Sequence, residues 1–199
     1  MPSADRTAVQ SLIQTSRLTL RPLAEEDAPT VHRYRSRSDV TQFLSHGALT
    51  EAETLERHRR AVACARASTS DWFMASWAML DNRTGKLVGD GRVWNSNEIS
   101  LEGTLQPGPV PKDHVLMGYV LDPEHHGKGL AREAAGAMVD WVFSERNINT
   151  ILAAVYEPNL PSRRLLEKLG FVQDQFVPAS SDRNGKNLAS IRMRLDRPK

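Results

Sequence analysis

Apolar residues change their period between residues 116 and 144, and the rest of the chain is ordered around that change. Residues 116–121, Leu-Met-Gly-Tyr-Val-Leu, are a short run of apolar and β-prone side chains that predicts a strand. Asp122-Pro123 ends it, because proline has no N–H for a ladder and its ring keeps the preceding residue out of the helical region. From Leu130 the helical period takes over, with Leu130, Ala134, Ala137, Met138, Trp141 and Val142 on one stripe. Between strand and helix lies His126-Gly127-Lys128-Gly129-Leu130-Ala131.

Residues 1–14 read as a flexible arm, and residues 15–199 as a single domain. Leu18, Leu20 and Leu23 alternate with polar residues in a first strand that stops at Pro22. Ala24-Glu25-Glu26-Asp27 opens a helix that should run to residue 37, with acids in its first turn. Thr50 and Glu53 form a capping box that predicts a second helix to residue 67. Residues 72–80 and 86–94 read as a hairpin turned at Asp81-Asn82-Arg83-Thr84-Gly85.

Residues 95–113, with Gly103, Pro107, Gly108, Pro109 and Pro111, lack any period and read as a long functional loop. The central helix should end at Arg146-Asn147, with Asn147 as its C-cap, and residues 151–156 form a buried strand. A last helix is capped by Asn159, carries Pro161 in its first turn and points Leu165, Leu166 and Leu169 inward. Gly170 suits the left-handed position just past its end, with Phe171 folding back on Leu166. Strands at 172–177 and 188–195, turning near Asn184-Gly185, complete the order β-α-α-β-β-β-α-β-α-β-β.

Composition narrows the class. A length of 199 residues supports one core, and a net charge of +2 argues against a nucleic-acid partner. No apolar run is long enough to span a bilayer, and the polar start does not resemble a signal peptide. The single cysteine, Cys64, allows no internal disulfide and no cysteine metal cluster, so no metal is expected and a reducing, cytoplasmic setting is. Cys64 itself reads as a packed residue.

The turn at 126–131 carries the chemistry. Glycines admit positive φ and close approach, and a helix start offers unpaired N–H groups, which together suit a phosphate or pyrophosphate. The same residues also suit an ordinary βα connection whose glycines only shape the turn. Dinucleotide and P-loop patterns both fail on spacing, since Arg132 stands where a third glycine is needed and Gly129, not Ser or Thr, follows Lys128.

The run does resemble the acyl-CoA pyrophosphate loop of the GNAT N-acetyltransferase superfamily, [RQ]-x-x-G-x-[GA], with His126 in the first place. Gly118-Tyr119-Val120-Leu121 before it, Gly127 through Ala134 within it, and Glu157-Pro158-Asn159-Leu160-Pro161-Ser162 with Lys168-Leu169-Gly170-Phe171 after it are similar to the RimJ/RimL-type subfamily. Ser16-Arg17-Leu18-Thr19-Leu20-Arg21-Pro22-Leu23 is also typical; Pro158 interrupts the usual Glu-Asn pair.

The resemblance implies an α/β (α+β) GNAT fold, a mixed, mostly antiparallel central sheet flanked by about four helices. It implies an N-acetyltransferase moving the acetyl group of acetyl-CoA to a primary amine, a protein N-terminus or a small molecule, in a monomer or homodimer. It places Val120 and Leu121 as backbone contacts to the cofactor, His126, Gly127, Lys128, Gly129, Leu130 and Ala131 on the pyrophosphate, Asn159 beside the pantetheine arm and Ser162 near the sulfur. Ser162 reads equally as a second helix-capping hydroxyl. Two departures stand out. No tyrosine occurs in residues 159–170, and Leu116 replaces the glutamate that serves some relatives as base. His114, Glu102 and Glu98 are the candidates to replace it, and an acyl-CoA-binding sensor without turnover is the alternative reading.

Overall fold

The computed structural model describes residues 11–68, 73–95, 113–179 and 187–199. In chain order the elements are β1 (Ile13–Gln14), β2 (Leu18–Pro22), α1 (Ala28–Arg35), α2 (Ser38–Thr41), α3 (Glu51–Ala67), β3 (Met74–Asp81), β4 (Leu87–Trp94), β5 (His114–Leu121), α4 (Leu130–Glu145), β6 (Thr150–Tyr156), α5 (Leu160–Lys168), β7 (Val172–Val177) and β8 (Ser190–Asp196). The strands make one eight-stranded sheet in the order β1-β2-β3-β4-β5-β6-β8-β7. Every neighbouring pair is antiparallel except β5 and β6.

Local signals decide several ends. Thr50 Oγ1 accepts from Glu53 N and the Glu53 carboxylate accepts from Thr50 N, so both halves of the α3 capping box form. At the end of α5, Phe171 N donates to Leu166 O and Gly170 N to Glu167 O, with Gly170 at φ 91°, a Schellman closure.

The main core lies between the sheet and α4, centred on Trp77, Met79, Met138, Val142 and Ile151. Trp141 of α4 meets Trp77 edge-on, centroids 4.9 Å apart. A smaller cluster on the other face joins Val31 and Tyr34 of α1 to Ala78, Leu87 and Val120.

Three expectations are corrected. Residues 11–14 are not loose: β1 pairs with β2, and Ser11 accepts from both indoles, its carbonyl from Trp77 Nε1 and its hydroxyl from Trp141 Nε1. The first helix opens as a 3₁₀ turn at Glu25–Asp27, where the Asp27 carboxylate is pinned by Arg21 and the Ala24 N–H, and α1 ends at Arg35, with the separate α2 beyond it. The central helix stops at Glu145 with Arg146 extended, so Asn147 is not its cap; the Arg146 guanidinium lies over Phe73 and Trp141. Trp72, Asn184-Gly185 and most of the 95–113 loop lie outside the described residues.

Candidate active site

The sheet opens where its polarity changes. β5 stays paired with β4 up to Gly89↔Leu121, but it pairs with β6 only from His114↔Thr150 to Leu116↔Leu152. Beyond Leu116 the two parallel strands part. Backbone groups alternate along a strand, and Asp122 N donates to Val88 O on β4 while Asp113 O faces the β6 side. Met117, Tyr119 and Leu121 therefore present N–H and C=O groups to the gap, and Val120 turns its own toward Asp90. Of the two backbone positions expected to serve a cofactor, Leu121 lies on the open edge and Val120 faces β4; Tyr119 shares the open edge with Leu121.

The turn after β5 is braced from several sides. Asp122 Oδ1 accepts from Glu124 N, and Oδ2 meets Arg33 of α1 at 3.3 Å. His126 Nε2 donates to the Leu121 carbonyl at 3.0 Å, which leaves the Leu121 N–H as that residue's offer to the gap. Lys128 Nζ caps the Glu124 carbonyl.

Gly127 and Gly129 have φ of 72° and 76°, a left-handed conformation that side-chain-bearing residues take at a cost of roughly 1–2 kcal/mol. That alternation, with α4 starting at Leu130, turns successive N–H groups the same way. The first helical bond is Glu133 N to Gly129 O, so the N–H groups before it have no helical acceptor. Arg17, at the head of β2, holds the turn from behind: Nη1 donates to Lys128 O and Nε to Glu133 Oε2.

Across the gap, Asn159 caps α5, its Oδ1 accepting from Ser162 N at 3.3 Å. Ser162 Oγ in turn lies 2.9 Å from the Tyr119 hydroxyl. Burial raises the Tyr119 pKa to about 12, the hydrogen bond to Ser162 working the other way, so the phenol stays protonated at neutral pH.

Asp90 and Arg92 of β4 point to the opposite face, beside Val120 and Gly118. Asp90 is buried and accepts from the Tyr34 hydroxyl at 2.6 Å and from Arg35 Nε and Nη2. Its burial opposes ionisation, but the charge of Arg35 and the hydrogen bonds from Arg35 and Tyr34 outweigh that and hold the carboxyl below its ordinary range. His46 is pushed down to about 4 by burial and the surrounding arginines; it is neutral, donating Nδ1–H to Gly47 O and receiving Arg35 Nη1.

Leu121 and residues 126–131 are thus assembled at one end of the gap, with Asn159 and Ser162 on its far lip. His114 is at the other end of β5, bonded to Asp113 at 2.9 Å, and is not brought to the turn. Leu116 is buried. Glu98 and Glu102 lie outside the described residues. Tyr119, Arg17 and the Arg35–Asp90–Arg92 group were given no role in the sequence; Tyr119 carried a signal in the Gly-Tyr pair and Arg17 in the family-like run at 16–23. Among the described residues no group of three or more His, Cys, Asp or Glu side chains gathers as a metal site would, and no helix is long and apolar enough to cross a membrane.

The acetyltransferase (GNAT) domain family matches residues 17–172, and the chain belongs to that family. It is 26% identical over 165 residues to the uncharacterised N-acetyltransferase YnaD of Bacillus subtilis (strain 168), covering 82% of this chain and 84% of that one. The fold is shared with the ribosomal-protein-S5-alanine acetyltransferase of Vibrio fischeri, at 24% identity, TM-score 0.71 and coverage of 94% and 96%. It is shared equally with the spermidine N-acetyltransferase of Vibrio cholerae in complex with CoA and spermine, at 21% identity, TM-score 0.71 and coverage of 92% and 96%.

Proposed function

We propose that this chain transfers the acetyl group of acetyl-CoA to a primary amine, directly and within a ternary complex. The open edge of β5 carries that reading. It offers the Tyr119 and Leu121 backbone to the amides of a pantetheine arm, at the mouth of a turn whose N–H groups suit a pyrophosphate. Gly127 has nothing within 4 Å of where a Cβ would stand, so phosphate oxygens can come down to its backbone.

The thioester arrives activated, and the protein's part is to hold two reactants in line. The amine nitrogen attacks the carbonyl carbon, a C–N bond forms and the C–S bond breaks. Ser162, with Tyr119 behind it, gives a proton to the departing sulfur, while the nitrogen loses one to solvent. Backbone N–H groups on the open edge are the donors available to the carbonyl oxygen as charge gathers there.

Titration calorimetry with acetyl-CoA, followed by assay of free thiol on adding amines, tests this. Binding in the micromolar range and amine-dependent thiol release are expected. Absence of binding overturns the reading.

A further inference from the structure

The face of β3 and β4 away from α4 holds a second feature. A cavity of about 60 Å³ lies between that face and α1 and α3, lined among others by Arg35, His46, Arg57, Asp90 and Arg92. Its volume fits a few water molecules or one small polar headgroup. Arg35 is matched by Asp90, at 2.6 Å. Both histidines are committed to carbonyl groups, His46 to Gly47 and His58 to Ala24. Arg57 lies within the field of Glu53, one turn earlier on α3.

Arg92 is different: among the described residues its side chain makes no hydrogen bond and no ion pair, and its guanidinium sits 5.7 Å from the centre of the Trp94 ring. Burial and the neighbouring Arg35 lower its pKa to about 10, so at neutral pH it remains a cation in a site with one carboxylate already spoken for. A half-buried charge of this kind is costly until an anion meets it. Arg92 stands directly across from Gly118, one strand away from the gap, and the Trp94 ring packs over that glycine, 3.7 Å from where a Cβ would stand.

We propose that the acceptor is a small primary amine that also carries a carboxylate, the carboxylate held by Arg92 and the amine directed over the Trp94 ring to the open edge of β5. This rests on the acetyl-transfer reading above. Donor and acceptor then approach from opposite faces of the sheet, the donor from the α4 and α5 side.

The test is a matched panel in which each amino acid is paired with its decarboxylated amine, with spermidine as a polycation, read as thiol release from acetyl-CoA. At least tenfold higher kcat/KM is expected for carboxylate-bearing members. Arg92→Gln should collapse that ratio toward one and Arg92→Lys should keep part of it, with acetyl-CoA affinity by calorimetry serving as the folding control. Amines without a carboxylate turned over equally well, or no turnover of any acid, overturns the proposal in the wild-type protein whatever the variants do. Failure to bind acetyl-CoA would instead remove the acetyl-transfer reading itself.

Discussion

The Tyr119 hydroxyl and Ser162 Oγ, 43 residues apart in sequence, stand 2.9 Å from each other and tie β5 to the first turn of α5 across the open edge. The pair supplies a protonated phenol where the last helix itself has no tyrosine. Ser162→Ala is expected to lower kcat by roughly ten- to a thousand-fold, with acetyl-CoA affinity hardly changed. Tyr119→Phe should cost about tenfold, and the double variant should be no slower than Ser162→Ala alone, as two members of one relay require. A Ser162→Ala enzyme with full kcat and a lower Tm would leave the serine as a helix cap.

The turn gives a second expectation. Gly129→Asp places a side chain on a φ of 76° and a negative charge on the row of N–H groups, so acetyl-CoA binding should weaken by at least a hundredfold. Calorimetry on the folded variant, with circular dichroism confirming the fold, decides it; unchanged affinity would move the pyrophosphate elsewhere.

Glu133 predicts a pH dependence. Burial resists its ionisation, but hydrogen bonds from Thr15, from Arg17 backbone and side chain and from Ser16 prevail and lower its pKa. A lowered folded-state pKa stabilises above the unfolded value, about 4.3 for glutamate, and the benefit disappears as pH falls through the folded value. Arg17 is half exposed, so Glu133→Gln should cost only about 1–2 kcal/mol at neutral pH. The Tm gap between wild type and variant should be full from pH 6 to 8 and close below about pH 4; a gap independent of pH would mean the charge contributes nothing.

Asp90→Asn removes the carboxylate that pairs with buried Arg35 and should destabilise by about 3–5 kcal/mol. That is a fall of roughly 6–20 °C in Tm for a chain this size. Replacing both partners with apolar residues should recover part of it, which a double-mutant cycle measures.

Sequence revealed most where the deciding physics is local. The strand–turn–helix at 116–144, the Thr50–Glu53 box and the Gly170 closure each depend on residues within one turn of chain, and each forms. Family likeness, not periodicity, is what assigned the turn a chemistry. What sequence did not show is decided by distant partners. The 3₁₀ opening at Asp27 needs Arg21 on β2, and the stop at Glu145 needs two aromatic rings for Arg146. The Arg35–Asp90 pair joins residues 55 apart. The facing of Val120 was hidden for a subtler reason: which residues of β5 face the gap depends on bonding to β4, and apolar pattern does not report it.

The short β5–β6 junction has a consequence for how the protein comes apart. Three residue pairs are all the backbone pairing described between the antiparallel block β1–β5 and the block β6–β8. Side chains packed under α4 supply the rest of the coupling. Each block is thus close to a separate unit of cooperative melting. A molecule seated along the β5 edge and against α5 would add the cross-links that the peptide backbone omits there. Its binding should sharpen the calorimetric transition as well as raise it, fusing two loosely stitched melting units into one.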